Sequence, residues 1–249
     1  MIRFFRQLRK GFVNQEQITK YLLYALGEIA LVVIGILIAL QINIANEHQK
    51  DLQKEQVYLK ALKAELMRDT ARIQRTKRAL SRMKSATRYI LDVYEDPEHV
   101  IQDSIHFIGQ YKLMVAFDLD LPEPMVWGEL QSTGNLSLIR DRRILDGLYA
   151  YYDTMNSVAR DYENNTQYFV NRGRYYDSAT MSSQHQEEFF ENFSVDYPPT
   201  YEEVQTIINN EGNFKNSKGI YTGLLLSNNS LQRLNNLVLK NLKIVEENM

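Results

Sequence analysis

The chain has 249 residues, 44% hydrophobic and 24% charged, with a formal net charge of -2. That length can bury one large core or two small ones, and five prolines with eleven glycines argue against a long disordered tail or an all-β sandwich. Cysteine is absent, which excludes disulfides, thiolate zinc sites and thiol nucleophiles.

Residues 1–20 mix Ile2, Phe4, Phe5 and Leu8 with Arg3, Arg6, Arg9, Lys10 and Lys20. Two readings stand for this basic segment: a short amphipathic helix in the headgroup layer, or a loose tail that sets orientation. Residues 21–44 follow, 24 residues whose one charged member is Glu28. As a helix they would extend about 36 Å, enough to cross a hydrocarbon core with some tilt. A helix also pairs its own backbone groups, as lipid requires. Tyr21 and Tyr24 stand where an aromatic belt would lie, and Gln41, Asn43 and Asn46 mark the opposite exit. No later stretch has comparable length and apolarity, so one span is expected, with the lipid bilayer as its first partner. A cleaved secretory signal is the competing reading; the run is long for one, and residues 39–47 offer no convincing cleavage site. Five basic residues precede the span and three (Lys50, Lys54, Lys60) follow closely. The expectation is a cytoplasmic N-terminus in a bacterial inner membrane and a periplasmic C-terminal portion.

Glu28 is costly in hydrocarbon, so it should face a partner, face water or take up a proton. It shares a helix face with Val32, Gly35, Ala39 and Asn43, and Gly35 with Ala39 forms a small-x-x-x-small pair that permits close backbone approach. One reading is a membrane-helix contact through Glu28, Gly35, Ala39 and Asn43, to a second copy or to another membrane protein. Glu28 snorkelling toward Lys20 and the headgroups is a second; a conducting interface in an ion- or proton-coupled complex is a third.

The stretch KYLLYALGEIALVVIGILIAL (residues 20–40), followed by Gln41, Asn43, Asn46 and Glu47, resembles the N-terminal signature of an uncharacterised bacterial family typical of Bacteroidota, single-pass membrane proteins described only as a domain of unknown function. The later stretch ELQSTGNLSLI (residues 129–139) is similar to a second block of that family. Where the family often places tryptophan this chain has Ala45, so one interfacial anchor is missing. The resemblance implies topology and bacterial origin, and carries no chemistry with it.

Residues 45–94 contain neither proline nor glycine. Leu52, Leu59, Leu66, Ile73 and Leu80 recur at seven, with Leu62, Met83 and Ile90 between, so residues 45–95 read as one long heptad-patterned helix interrupted at Glu55, Asp69 and Thr76. Those interruptions favour packing in a bundle over a two-stranded coiled coil. Asp96-Pro97 ends the helix. Residues 60–88 hold ten Lys or Arg against Glu65 and Asp69, whereas residues 89–129 hold nine acids against Lys112. If the chain folds back, the two stretches neutralise each other; otherwise the face of Arg68, Arg72, Arg75, Arg78 and Arg82 binds an anionic partner. Net acidity and the expected topology disfavour nucleic acid.

Residues 96–249 read as a helical soluble domain. FDLDLPEPMVW (residues 117–127) is expected to be a solvated turn, although Asp118, Asp120 and Glu123 raise the question of a hard cation. A short helix from Trp127 should stop at Gly134 in a left-handed cap, and Asp141 should open another with Leu145, Leu148, Tyr152 and Met155 buried. Tyrosines 149, 151, 152, 162, 168, 175 and 176, interspersed with Arg160, Arg172 and Arg174, read as core-edge residues with hydroxyls in water; stacking on bases or sugars is the alternative. Residues 177–219 suggest loops and short helices, and residues 221–245 a closing helix with Leu224, Leu231, Leu234, Val238 and Leu242 inward. His48, His99, His106 and His185 lie far apart, and no hydrolase or phosphate-loop motif occurs. The expected fold is all-α: one transmembrane helix continuing into a long helix, then a helical bundle. No catalytic residue, metal ligand or cofactor is assigned, and the expected mode of action is assembly or partner binding.

Overall fold

In this computed structural model the described residues are 15–96, 103–180, 183, 187, 191 and 200–249. Residues 1–14 of the basic segment, His99 and His185 lie outside them, as does the side chain of Tyr176. Among the described residues the secondary structure is entirely helical. The first helix, α1, runs Gln15–Glu95, 81 residues without a proline and without a glycine after Gly35. It stops just before Asp96-Pro97, as proline's clash with the preceding residue requires.

The chain forms two compact units, Met1–Glu55 and Gln56–Met249. In the first, each side chain from Thr19 to Asp51 is exposed. Within it Thr19 begins the one described helical stretch long and apolar enough to cross a membrane.

The second unit is a helical bundle built on the heptad residues of α1. Leu59, Leu62, Leu66, Ile73, Leu80, Met83 and Ile90 are all buried in one core. The chain's own helices cover them: α2 (Ser104–Leu113), α3 (Met125–Ser132), α4 (Arg142–Tyr162), α5 (Tyr168–Thr180), α6 (Tyr201–Ile208) and α7 (Glu211–Glu247). This is the bundle packing the interrupted seam favours. Sequence-coded caps fix the helix starts. Asp103 accepts from the His106 N–H at 2.9 Å, Asp141 from the Arg143 N–H at 2.8 Å, and Thr200 with Glu203 forms a reciprocal capping box opening α6. Gly134 has φ +72°, the left-handed stop expected after α3, where a side chain would be strained.

α4 carries Ile144, Leu148, Tyr151, Tyr152, Met155, Val158 and Tyr162 inward, while Leu145 is half-buried. It continues through a π-helical segment, Glu163–Gln167, into α5. The π segment presents Thr166 to α7 at Gly223, where an added Cβ would strike the Thr166 hydroxyl and come within 2.6 Å of the Asn165 carbonyl. Gly219 is similarly occupied by the Phe169 ring, 2.5 Å from where a Cβ would be.

These approaches explain why α7 starts at Glu211, about ten residues earlier than the apolar pattern indicates. Residues 211–219 look loop-like because they are polar, yet Asn213, Asn216 and Ser217 are buried and bonded. Asn213 Nδ2 donates to the Ile207 carbonyl (3.4 Å), Asn216 Nδ2 to the Phe169 carbonyl (2.8 Å) and Ser217 Oγ to the Asn213 carbonyl (2.8 Å).

Candidate functional site

On the apolar N-terminal part of α1, Glu28, Gly35, Ala39 and Asn43 lie on one face and all are exposed. Apart from its own helix's adjoining backbone, no heavy atom among the described residues comes within 4 Å of a Cβ added at Gly35, so its small size serves no tertiary contact among them. Asn43 Nδ2 donates to Glu47 Oε1 of its own helix at 3.3 Å. Lys20, Tyr24, Gly27 and Glu28 border one shallow depression, and among the described residues no ion pair joins Lys20 to Glu28.

In the bundle, Arg68, Arg75, Arg78 and Arg82 are exposed on the α1 face where the sequence places them, and among the described residues none makes an ion pair. Arg72 does: its Nε lies 2.7 Å from Asp120 Oδ1, and Nη1 is 3.8 Å from Glu123. Arg88 pairs with Asp92 at 2.5 Å on its own helix. The acidic stretch therefore neutralises the basic one in part only. In the loop of residues 117–124, Asp118 turns to Arg174 (3.0 Å), while Asp120 and Glu123 turn to Arg72. The three carboxylates are held by guanidinium groups, and the loop is tied to α1 and α5.

Beneath the arginines lies an arrangement the sequence does not announce. Glu65 and Asp69, one turn apart on α1, are both almost fully buried, 2% and 4% exposed. Glu65 Oε2 accepts the backbone N–H of Val126 at 2.6 Å, so it satisfies one of the orphan donors at the start of α3 and meets the positive end of that helix. Its other oxygen accepts the Tyr152 hydroxyl at 2.6 Å. Asp69 Oδ2 accepts the Tyr151 hydroxyl at 3.0 Å. Burial pushes the Asp69 carboxyl from 3.8 up to about 7, with Glu65 adding repulsion against the opposing pull of the Tyr151 hydrogen bond, Arg68 and Arg72. Burial, with the carboxylate neighbours adding to it, raises both phenols well above their ordinary range, so they stay protonated donors.

Tyr151 and Tyr152 thus occupy the core as expected, but their hydroxyls face carboxylates and not water. Trp127, the chain's one tryptophan, stacks on Tyr152 at 5.6 Å and meets the edge of Tyr149 at 4.7 Å. The heptad gaps supply the missing signal: a polar residue at a seam position must find a partner. Asp69 finds Tyr151, and Thr76 donates to the Asp120 carbonyl. Glu65, Asp69, Arg68, Arg72, Arg75, Glu123 and Met125 border a cleft of about 400 Å³.

No curated protein and no solved structure matches the chain. Residues 28–102, from within the apolar span past the end of α1, match the model of a family described as "Family of unknown function (DUF6090)". The matched stretch contains Glu28, the Gly35–Ala39–Asn43 face, the five arginines and both buried carboxylates, whereas residues 129–139 fall outside it. Over that stretch, this chain is similar to that family.

Proposed function

We propose that the chain is a single-pass anchor of a bacterial inner membrane, with a cytoplasmic N-terminus and a periplasmic helical domain. It acts by assembly or partner binding, as a scaffold, sensor or accessory subunit, and not by catalysis. The observation that carries this reading is the apolar run from Tyr21 to Ile44, in which each side chain is exposed. Each large aliphatic side chain left in water forgoes roughly 1.5–3 kcal/mol, so a sheath of lipid or protein covers this surface. On the Glu28–Gly35–Ala39–Asn43 face the sheath is a second helix, because small residues permit close packing there and a glutamate in lipid needs company.

The absence of native cysteine makes the test clean. Ala39→Cys should cross-link in native membranes, to a second copy or as a heavier adduct with another membrane protein. Leu37→Cys, on the opposite face, should not. Equal cross-linking from both positions, or none from either, would remove the interface.

A further inference from the structure

We propose that the cleft over Asp69 binds a small oxyanion ligand, of the phosphate or carboxylate class, held by Arg68, Arg72 and Arg75. This assignment is independent of the membrane reading, since it rests on the bundle alone. The cleft's volume, about 400 Å³, falls within the range of small-molecule sites. Three guanidinium groups from successive turns of one helix border it. Arg68 and Arg75 have no ion-pair partner among the described residues, whereas Asp120 holds Arg72 at its Nε. Glu123, exposed at the rim, reaches Arg72 only at 3.8 Å. Planar forks of this kind suit oxyanions, to which they donate paired, charge-assisted hydrogen bonds.

The floor is built for the same charge. Glu65 spends one oxygen on the Val126 N–H and the other on the Tyr152 hydroxyl, so both its oxygens already have donors. Asp69 spends Oδ2 on Tyr151, and its Oδ1 has no hydrogen bond among the described residues. The groups facing Asp69 are Glu65, Arg68 and Arg72 from α1 and Tyr151 with Tyr152 from α4; Glu123 and Met125 complete the cleft from the α3 side. With its proton on, Asp69 is a donor aimed at the same space as the guanidiniums; with its proton off, it repels an anion. Arg78 and Arg82 border a separate depression with Gln110 and Leu113, so a small ligand spares them and a polyanion spanning the whole face does not.

The test uses the full chain in neutral detergent, titrated separately with inorganic phosphate and succinate, by calorimetry and by the fluorescence of Trp127, which stacks on the Glu65 ligand Tyr152. At least one probe should bind saturably in the millimolar range or tighter at about pH 6. Arg68→Ala and Arg75→Ala should each weaken it by roughly tenfold, the loss of a charge-assisted contact. Arg78→Ala with Arg82→Ala should leave it unchanged.

Affinity should fall toward about pH 8 in the native chain and fall less in Asp69→Asn, a comparison that separates the Asp69 proton from the probe's own titration. Thermal unfolding of each variant reports whether its bundle is intact. Failure of both probes at about pH 6, equal losses in the Arg78/Arg82 variant, or an unaltered pH dependence in Asp69→Asn would each overturn the site. Binding of polyglutamate without either small probe would overturn it too, assigning the arginines to an acidic polypeptide.

Discussion

Asp69→Asn should make the bundle more stable at alkaline pH, by a margin that shrinks as the pH falls toward about 4. The replacement keeps the shape of the side chain and an oxygen to accept the Tyr151 hydroxyl, while removing the charge. The native carboxyl titrates near 7 in the folded state and near 3.8 when solvated. The folded state therefore holds the proton more tightly, so stability is fully present below about 4, declines as pH rises through about 7, and levels off beyond. Full conversion of that difference gives at most about 4 kcal/mol. Water in the open cleft screens part of the cost, which leaves about 2 kcal/mol.

For a unit of this size about 2 kcal/mol corresponds to a melting shift of about 4–8 °C. Unfolding followed by Trp127 fluorescence, for native and variant chains at about pH 5 and about pH 8, reads the part of it lost between those conditions, roughly 60%. A native-minus-variant difference that stays constant between the two conditions, or an Asn variant less stable at alkaline pH, would refute the reasoning about this buried acid.

Tyr152→Phe removes the second bond to buried Glu65, and should destabilise the bundle by about 1–3 kcal/mol in denaturant titration. Gly223→Ala forces a methyl against Thr166 and the Asn165 carbonyl, where rigid backbone resists. It should cost about 1–3 kcal/mol, whereas Gly128→Ala, with open space around its Cβ position, should not lose to packing.

The all-α class was legible because α1 repeats leucine or isoleucine at seven from Leu52 to Leu80 and contains no proline. The starts and stops at Asp141, Gly134 and Asp96-Pro97 were legible for the same local reason: each depends on one residue's backbone chemistry. The beginning of α7 was hidden because its first turns bury asparagine and serine against carbonyls of α5, α6 and α7 itself, a pattern that looks like loop until the partners are known. The arginine face was visible as a run of cations, but which of its members pair with the acidic stretch was not, since that depends on where the loop of residues 117–124 turns its carboxylates. Asp69 was visible as a gap in the seam. Glu65 was not, because it flanks the seam, and its partners come from residues 126 and 152, far away in the chain.

Alkaline extraction of membranes, followed by intact-mass determination of the chain that remains, tests the central claim most directly. The account predicts a pelleted chain whose mass still includes residues 21–44. Release into the wash, or a mature chain lacking its first 45 or so residues, would contradict it.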